Sequence, residues 1–135
     1  MESLSRMFEA HPMKQQTQLS SPAVLLQEIA TCEAACTLCA DACLSERDVQ
    51  MLAQCISLNL YCADQCAVSA RSIGRPGHQQ FGLLRMQLDA CREACRTCAE
   101  ECERHEHEHC RICAESCRSC EQACSRALES MMATA

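Results

Sequence analysis

Cysteine is the residue of this chain whose number and spacing most directly suggest chemistry. Sixteen cysteines occur in 135 residues, and most recur at steps of three and four positions. On an α-helix this spacing places the thiols on one face, which another helix normally covers. Soft thiolates in such a core are ligands for Cu(I), zinc or iron–sulfur clusters. The four successive sets are Cys32, Cys36, Cys39 and Cys43; Cys55, Cys62 and Cys66; Cys91, Cys95, Cys98 and Cys102; and Cys110, Cys113, Cys117, Cys120 and Cys124.

The spacing within each set suits an ion that takes two thiolates. Side chains four residues apart on a helix have Cβ atoms about 5–6 Å apart. Two metal–thiolate bonds of about 2.3 Å span on the order of 4.5 Å, which a pair such as Cys32 and Cys36 can supply. Cu(I) accepts this arrangement. Two thiolates per ion would give eight ions for sixteen cysteines, bridging thiolates would allow about sixteen, and zinc with four unshared thiolates would give four.

A thioether and two imidazoles are further candidate metal ligands. Met51 precedes the second cysteine set by one helical turn, and it either contacts metal or simply packs. His105 and His109 are four residues apart beside Cys110, in a run that alternates with glutamate and is most often a solvated turn. If this run is helical, we expect His107 to point elsewhere.

Composition excludes several classes of function. The net charge of −6, with no basic stripe, argues against a nucleic-acid partner. No run approaches 18 apolar residues and the N-terminus has no export signal, so we expect no membrane span and a cytoplasmic location, where thiols stay reduced. Neither a nucleophile–base pair nor a phosphate-binding loop is evident, so we do not expect an enzyme.

The order of the segments predicts an all-α protein. Residues 1–20 form a lead-in that can hold a short helix, and residues 21–135 form the cysteine-rich unit. We expect helices from Pro22, with Ser21 as N-cap, to Leu44, then to about residue 73, from about 79–82 past Cys102, and to about residue 131. The cysteine pattern repeats at an offset of 58–59 residues, with Asn59 in one vacant step. Two repeated hairpins predict an antiparallel up-down-up-down four-helix bundle with a cysteine-lined core.

This topology predicts two unlike ends. Continuing the stripe away from the cysteines gives an apolar plug at one end, formed by Leu25, Ile29, Ser69, Ile73, Leu84, Leu88, Leu128 and Met131. The other end, which we call the mouth, collects Cys43, Cys55, Cys102, Cys110, Asp48, Met51 and the histidines at 105, 107 and 109. Ions would therefore enter at the mouth.

The repeated Cys-x-x-x-Cys-x-x-Cys-x-x-x-Cys blocks at 32–43 and 91–102, with the sets at 55–66 and 113–124, resemble the bacterial copper storage proteins, in particular their cytosolic branch. The resemblance implies a four-helix bundle whose inward thiolates hold many Cu(I) ions, a tetrameric assembly and entry at one end. The chain departs from the pattern at Asn59. The alternatives are a multi-zinc or mixed-metal thiolate buffer and a structural bundle closed by disulfides.

Overall fold

The computed structural model describes residues 2–134, and this part of the chain is helical without a β-strand. Five α-helices follow in order: α1 (Glu2–Ala10), α2 (Pro22–Leu44), α3 (Ala53–Ile73), α4 (Phe81–Cys102) and α5 (Glu108–Thr134). Three short 3-10 helices, Lys14–Gln16, Val49–Leu52 and Pro76–His78, lie in the connections. The all-α prediction is confirmed.

The helix ends follow local chemistry. Proline at the first position suits the start of α2, because its fixed φ is helical and its missing N–H would have no partner there. Ser21 is the N-cap residue, as predicted: its carbonyl accepts the first helical bond, from the Leu25 N–H at 3.1 Å, although its hydroxyl makes no capping bond. Gly74 ends α3, and its N–H donates to the Ala70 carbonyl at 3.0 Å.

The four long helices enclose one core. Helix α2 packs against α3 and α5, and α4 packs against the same two helices. Helix α1 lies against α2, and the 3-10 helix Lys14–Gln16 meets Pro76–His78. The Thr17 hydroxyl donates to the Gln79 side-chain oxygen at 3.0 Å, which joins the N-terminal segment to the connection between α3 and α4.

The core is apolar in one part and sulfur-lined in the rest. All eight residues predicted to form the plug are buried, including the polar Ser69. The Gln87 side-chain amide donates to the Ser69 hydroxyl at 3.1 Å, so this buried group is satisfied. Leu52, just before α3, is also fully buried, which the sequence pattern did not indicate.

Helix α2 has the length and composition of a membrane-spanning helix, although we expected no such segment from the sequence. Its most apolar 18-residue window has a mean hydropathy of 1.4. A core helix of a soluble protein meets the same criteria, and the cysteines of α2 are buried against the other long helices. The apolar character of α2 is therefore weak evidence for a membrane.

Candidate metal centre

All sixteen cysteines lie inside the helical core as free thiols. Cys39 is 2% exposed, Cys113 is 1% exposed, and the rest have no exposed surface. Buried thiols alone behave as small apolar groups, but here they replace nearly all the large side chains along the middle of the core. The predicted inward face of each cysteine set is therefore present in the structure.

Thiols from facing helices form close pairs along the length of the core. Across α3 and α4, Sγ–Sγ distances are 3.9 Å for Cys66 with Cys91, 3.7 Å for Cys62 with Cys95, and 3.6 Å for Cys55 with Cys102. Across α2 and α5, they are 3.6 Å for Cys36 with Cys117 and 4.0 Å for Cys43 with Cys110. These separations are within the reach of a metal ion that joins two sulfurs.

The pairs merge into groups of four ligand atoms, all within 4.8 Å of one another. Neighbouring groups share members, so that the sulfurs form a continuous series rather than separate sites. The groups include Cys32, Cys62, Cys66 and Cys95; Cys32, Cys36, Cys62 and Cys117; Cys36, Cys98, Cys113 and Cys117; and Cys66, Cys91, Cys95 and Cys120. A fifth group at the mouth contains Cys39, Cys43, Cys110 and His109.

Asn59 occupies the gap in the cysteine series of α3 and is fully buried. Its Oδ1 atom accepts from the thiols of Cys98 at 3.0 Å and Cys113 at 3.3 Å. Its Nδ2 group donates to the Cys55 sulfur at 3.7 Å. The Asn59 amide is thus hydrogen-bonded to the thiols of three cysteines.

The thiols at the mouth differ in acidity. A hydrogen bond from the Cys102 thiol, with a further contribution from His109, lowers the pKa of Cys39 to about 6. Burial raises the pKa values of Cys43 and Cys110 above the ordinary range. Because the thiolate is the form that binds metal, Cys39 is the first of these three thiols to be ready for an ion at neutral pH.

In the mouth, the rings of His107 and His109 stack on each other, and each ring also lies beside a carboxylate. The Nδ1 atom of His109 lies 3.4 Å from the Cys39 sulfur, and its Nε2 atom lies 2.8 Å from Glu46 Oε2. Residues 105–107 are not helical, so His107 does not point away as expected for a helix. Its ring stacks on His109 at 5.4 Å between centroids, and its Nε2 lies 3.0 Å from Asp48 Oδ1.

His105 and Met51, the other two candidate ligands at this end, are placed differently from His109. His105 Nε2 lies 2.8 Å from Glu101 Oε2, and both side chains are mostly buried. Met51 is 76% exposed. The structure thus brings together the thiols and His109 that the sequence proposed as ligands, whereas the sequence gave no role to Glu46, Glu101 or His107.

Known proteins match both the sequence and the structure. Residues 17–129 match the family model described as Copper storage protein. The copper storage protein Ccsp from Streptomyces lividans, in a structure loaded with 10 copper equivalents, is 39% identical, with a TM-score of 0.87 over 94% of this chain and 98% of the other. A structure of a cytosolic copper storage protein from the same organism, with five coppers, is 46% identical, with a TM-score of 0.79 over 81% and 92% of the two chains.

A more distant relative has the same fold. Cu(I)-bound Csp3 of Bacillus subtilis is 30% identical, with a TM-score of 0.72 over 78% of this chain and 95% of the other. The family model covers all sixteen cysteines from which the sulfur core is built. By sequence, fold and the enclosed series of free thiols, the chain belongs to the copper storage protein family.

Proposed function

We propose that this protein stores Cu(I) in high capacity on the thiolates of its helical core. The observation that carries the proposal is the continuous series of buried free thiols, in which groups of four sulfurs share members. With bridging thiolates, each Cu(I) that binds displaces one thiol proton, so a loaded core stays near neutral and avoids the cost of buried net charge. The related proteins in the copper-loaded structures support this role.

The sharing of sulfurs favours copper over zinc. Six cysteines each belong to two of the four-sulfur groups, namely Cys32, Cys36, Cys62, Cys66, Cys95 and Cys117. Zinc ions that each use four unshared thiolates cannot occupy all of these overlapping groups at once. Ions of low coordination number that share bridging thiolates can occupy them together. A disulfide-closed bundle is disfavoured because all sixteen cysteines are free.

We propose that ions enter at the mouth and are captured first by Cys39, Cys43, Cys110 and His109. This group combines a thiol of low pKa with an imidazole nitrogen 3.4 Å away. Met51 is exposed, so we assign it contact with the incoming ion rather than a storage site. We assign His105, which lies beside Glu101, the same role of contacting the incoming ion. The other thirteen cysteines, together with these three, form the store.

We propose that the four long helices form an antiparallel up-down-up-down bundle of two hairpins. The register of the thiol pairs supports this arrangement. Across α3 and α4, the partner numbers fall from Cys102 to Cys91 as those on α3 rise from Cys55 to Cys66. Across α2 and α5, Cys43 pairs with Cys110 and Cys36 with Cys117, in the same opposite sense.

We further propose that residues 1–20 are a lead-in and that residues 21–135 form the storage unit. The storage role requires no reaction at the site, and we assign the protein no enzymatic activity. The cytosolic relative from Streptomyces lividans supports a cytoplasmic location. We expect neither nucleic acid nor membrane as partner.

A homo-oligomer, proposed as a tetramer, is the expected assembly. Helix α3 exposes Leu60, Tyr61 and Val68 at 48%, 65% and 46% of their surface, on the side away from its cysteines. Such a row of apolar side chains suits contact with another copy. Light scattering of the reduced protein gives the mass of the assembly directly.

The deciding experiment is an anaerobic titration of the reduced protein with Cu(I) against a chromophoric chelator. We expect tight uptake of more than eight ions per chain, because bridging thiolates hold more ions than separate pairs. Saturation at four Cu(I) or fewer, with all sixteen thiols titrating as free, would contradict the proposal. A parallel zinc titration serves as the comparison, and four or fewer zinc ions are expected.

A further inference from the structure

Three donor atoms converge on the outer side of the mouth, away from the thiols. Glu46 Oε2 lies 2.8 Å from His109 Nε2 and 3.3 Å from His107 Nδ1. The two imidazole rings are parallel within 5°, with 5.4 Å between centroids. One carboxylate oxygen is therefore shared by nitrogens of two histidines.

The donors and acceptors around His107 do not balance for a neutral ring. Its Nδ1 faces Glu46 Oε2 at 3.3 Å, and its Nε2 faces Asp48 Oδ1 at 3.0 Å. A neutral imidazole has one N–H, so it can donate to only one of the two carboxylates. The other nitrogen then presents a lone pair to a carboxylate oxygen. A positive charge at this point, either a second proton or a metal ion, removes the conflict.

The geometry suits a metal ion. In a tetrahedral site with bonds of about 2.0–2.2 Å, neighbouring ligand atoms are separated by roughly 3.3–3.6 Å. The separations from Glu46 Oε2 are 3.3 Å to His107 and 2.8 Å to His109, so the first already fits and the second must lengthen by about 0.5 Å to admit an ion. Asp48 on the far nitrogen of His107 matches the carboxylate–histidine–metal arrangement that orients ligating imidazoles.

Backbone hydrogen bonds anchor the segments that carry Glu46 and His107. The His107 carbonyl accepts from the N–H groups of Cys110 and Arg111 at 3.0 and 3.2 Å, where α5 begins. The Glu46 N–H donates to the Cys43 carbonyl at 3.2 Å, in the turn after α2. Glu46, His107 and His109 have side chains 27–30% exposed, so water can complete the coordination.

We propose that Glu46, His107 and His109 form a second metal site, which binds a divalent ion of intermediate softness such as Zn(II). Its two nitrogens and one oxygen differ in class from the soft thiolates of the core, and imidazole with carboxylate suits Zn(II) better than Cu(I). We call it the rim site. Its function is to hold a divalent ion at the entrance of the copper store.

The rim site and the copper entry group share one imidazole. His109 presents Nε2 to Glu46 and Nδ1 to Cys39. A neutral imidazole has one lone pair for a metal, so Zn(II) at the rim and Cu(I) beside Cys39 exclude each other. A bound divalent ion would therefore slow copper entry without reducing the number of core sites. This consequence rests on the proposed copper function, whereas the rim site itself does not.

The site is tested with Co(II) on the reduced, copper-free protein under anaerobic conditions. Co(II) bound by thiolates gives intense sulfur-to-metal charge-transfer absorption, whereas Co(II) bound by nitrogen and oxygen gives only weak bands. Equilibrium dialysis counts the ions, and the spectrum assigns each to one class. We expect one equivalent without charge transfer in the wild type and none in Glu46→Gln or His107→Ala. His78→Ala, which alters an exposed histidine outside the mouth, should keep it.

Two results would overturn the proposal. One is charge transfer from every Co(II) that the wild type binds, which would mean that the core takes all of it. The other is a non-thiolate equivalent that persists in both rim variants. Far-ultraviolet circular dichroism and thiol counting verify that the variants are folded and reduced.

A kinetic experiment separates the rim site from the store. With Zn(II) present, Cu(I) uptake should be slower in the wild type than in His107→Ala, while the final Cu(I) count is equal in both. Equal slowing in the two proteins would show that zinc acts in the core and would contradict the coupling. A low final count in both proteins would instead refute the storage proposal and leave the Co(II) result standing.

Discussion

The Oδ1 atom of Asn59 lies 3.0 Å from the Cys98 sulfur in the middle of the core. An amide can accept from a thiol through its oxygen and donate to a thiolate through its nitrogen. A carboxylate could only accept, and an apolar side chain could do neither. Asn59 therefore suits a core whose neighbours change from thiol to thiolate as metal binds.

Replacing Asn59 tests whether this position limits capacity. Asn59→Cys restores the missing thiol beside Cys98 and Cys113, so we expect it to bind about one more Cu(I), since each bridging thiolate can add an ion. Asn59→Ala should keep the wild-type count but lower the free energy of unfolding by about 1–3 kcal/mol, because a buried hydrogen-bonded group is lost. Chelator titration and urea unfolding give the two quantities. An unchanged count in Asn59→Cys would show that the position lies outside the metal series.

Cysteines in the middle of the series should matter more than those at its end. Cys117 belongs to two four-sulfur groups, whereas Cys43 appears in the mouth group. We therefore expect Cys117→Ala to lose about two Cu(I) ions and Cys43→Ala about one, because a bridging thiolate serves more than one ion. Metal analysis after gel filtration of the loaded variants measures both. Equal losses would argue for separate sites without shared sulfurs.

The contacts of His109 make the stability of the metal-free protein depend on pH. Burial lowers its pKa, but hydrogen bonds with Cys39 and Glu46 outweigh this effect and leave it raised. A raised folded-state pKa stabilises the fold fully below the unfolded value of about 6.5. That contribution is lost as pH rises through the folded value. We expect Glu46→Gln to destabilise the protein by about 0.5–1 kcal/mol near pH 5.5.

The same variant should differ less from the wild type near pH 8.5, because the charged form of His109 that Glu46 stabilises is lost as pH rises. Urea unfolding at the two pH values measures the change. Glu115→Gln, at an exposed position of α5, is the matched control and should show no such trend. A larger effect at the higher pH would contradict the assigned role of His109.

The apolar plug should contribute stability rather than capacity. Leu88 is fully buried, so Leu88→Ala should lower the free energy of unfolding by about 2–5 kcal/mol. Leu83 on the same helix is 69% exposed, and Leu83→Ala should change it by less than about 0.5 kcal/mol. Both variants should bind as much Cu(I) as the wild type. A large loss of copper in folded Leu88→Ala would show that the plug also shapes the metal sites.

The sequence predicted the parts of the molecule that are periodic. When a helix carries a thiol on every turn, other helices cover the cysteines only if that face points into the core. The inward face of each long helix therefore followed from the spacing alone. The end of α2 at Leu44 and the break at Gly74 followed from turn residues. These features depend on neighbours within one or two turns.

The mouth could not be predicted in the same way. The turn at residues 103–107 has no helical periodicity, and the pairing of His107 with Asp48 joins residues 59 positions apart. The exposure of Met51 likewise depends on the 3-10 helix that precedes α3. The signal for the rim was the charge pattern, in which acidic residues of the turn after α2 complement the histidines at the start of α5.

The close, unbonded packing of the thiols has a consequence for the lifetime of the protein. Neighbouring sulfurs lie 3.6–4.0 Å apart. If an external oxidant oxidises one thiol, a neighbouring thiol needs only small movements to form a disulfide of about 2.05 Å with it. Each such bond would remove two ligands and crosslink the interior. Thiolates already bonded to copper are no longer free to attack an oxidised neighbour. The copper-free protein is therefore the form that oxidation inactivates, and bound copper protects the thiols from it.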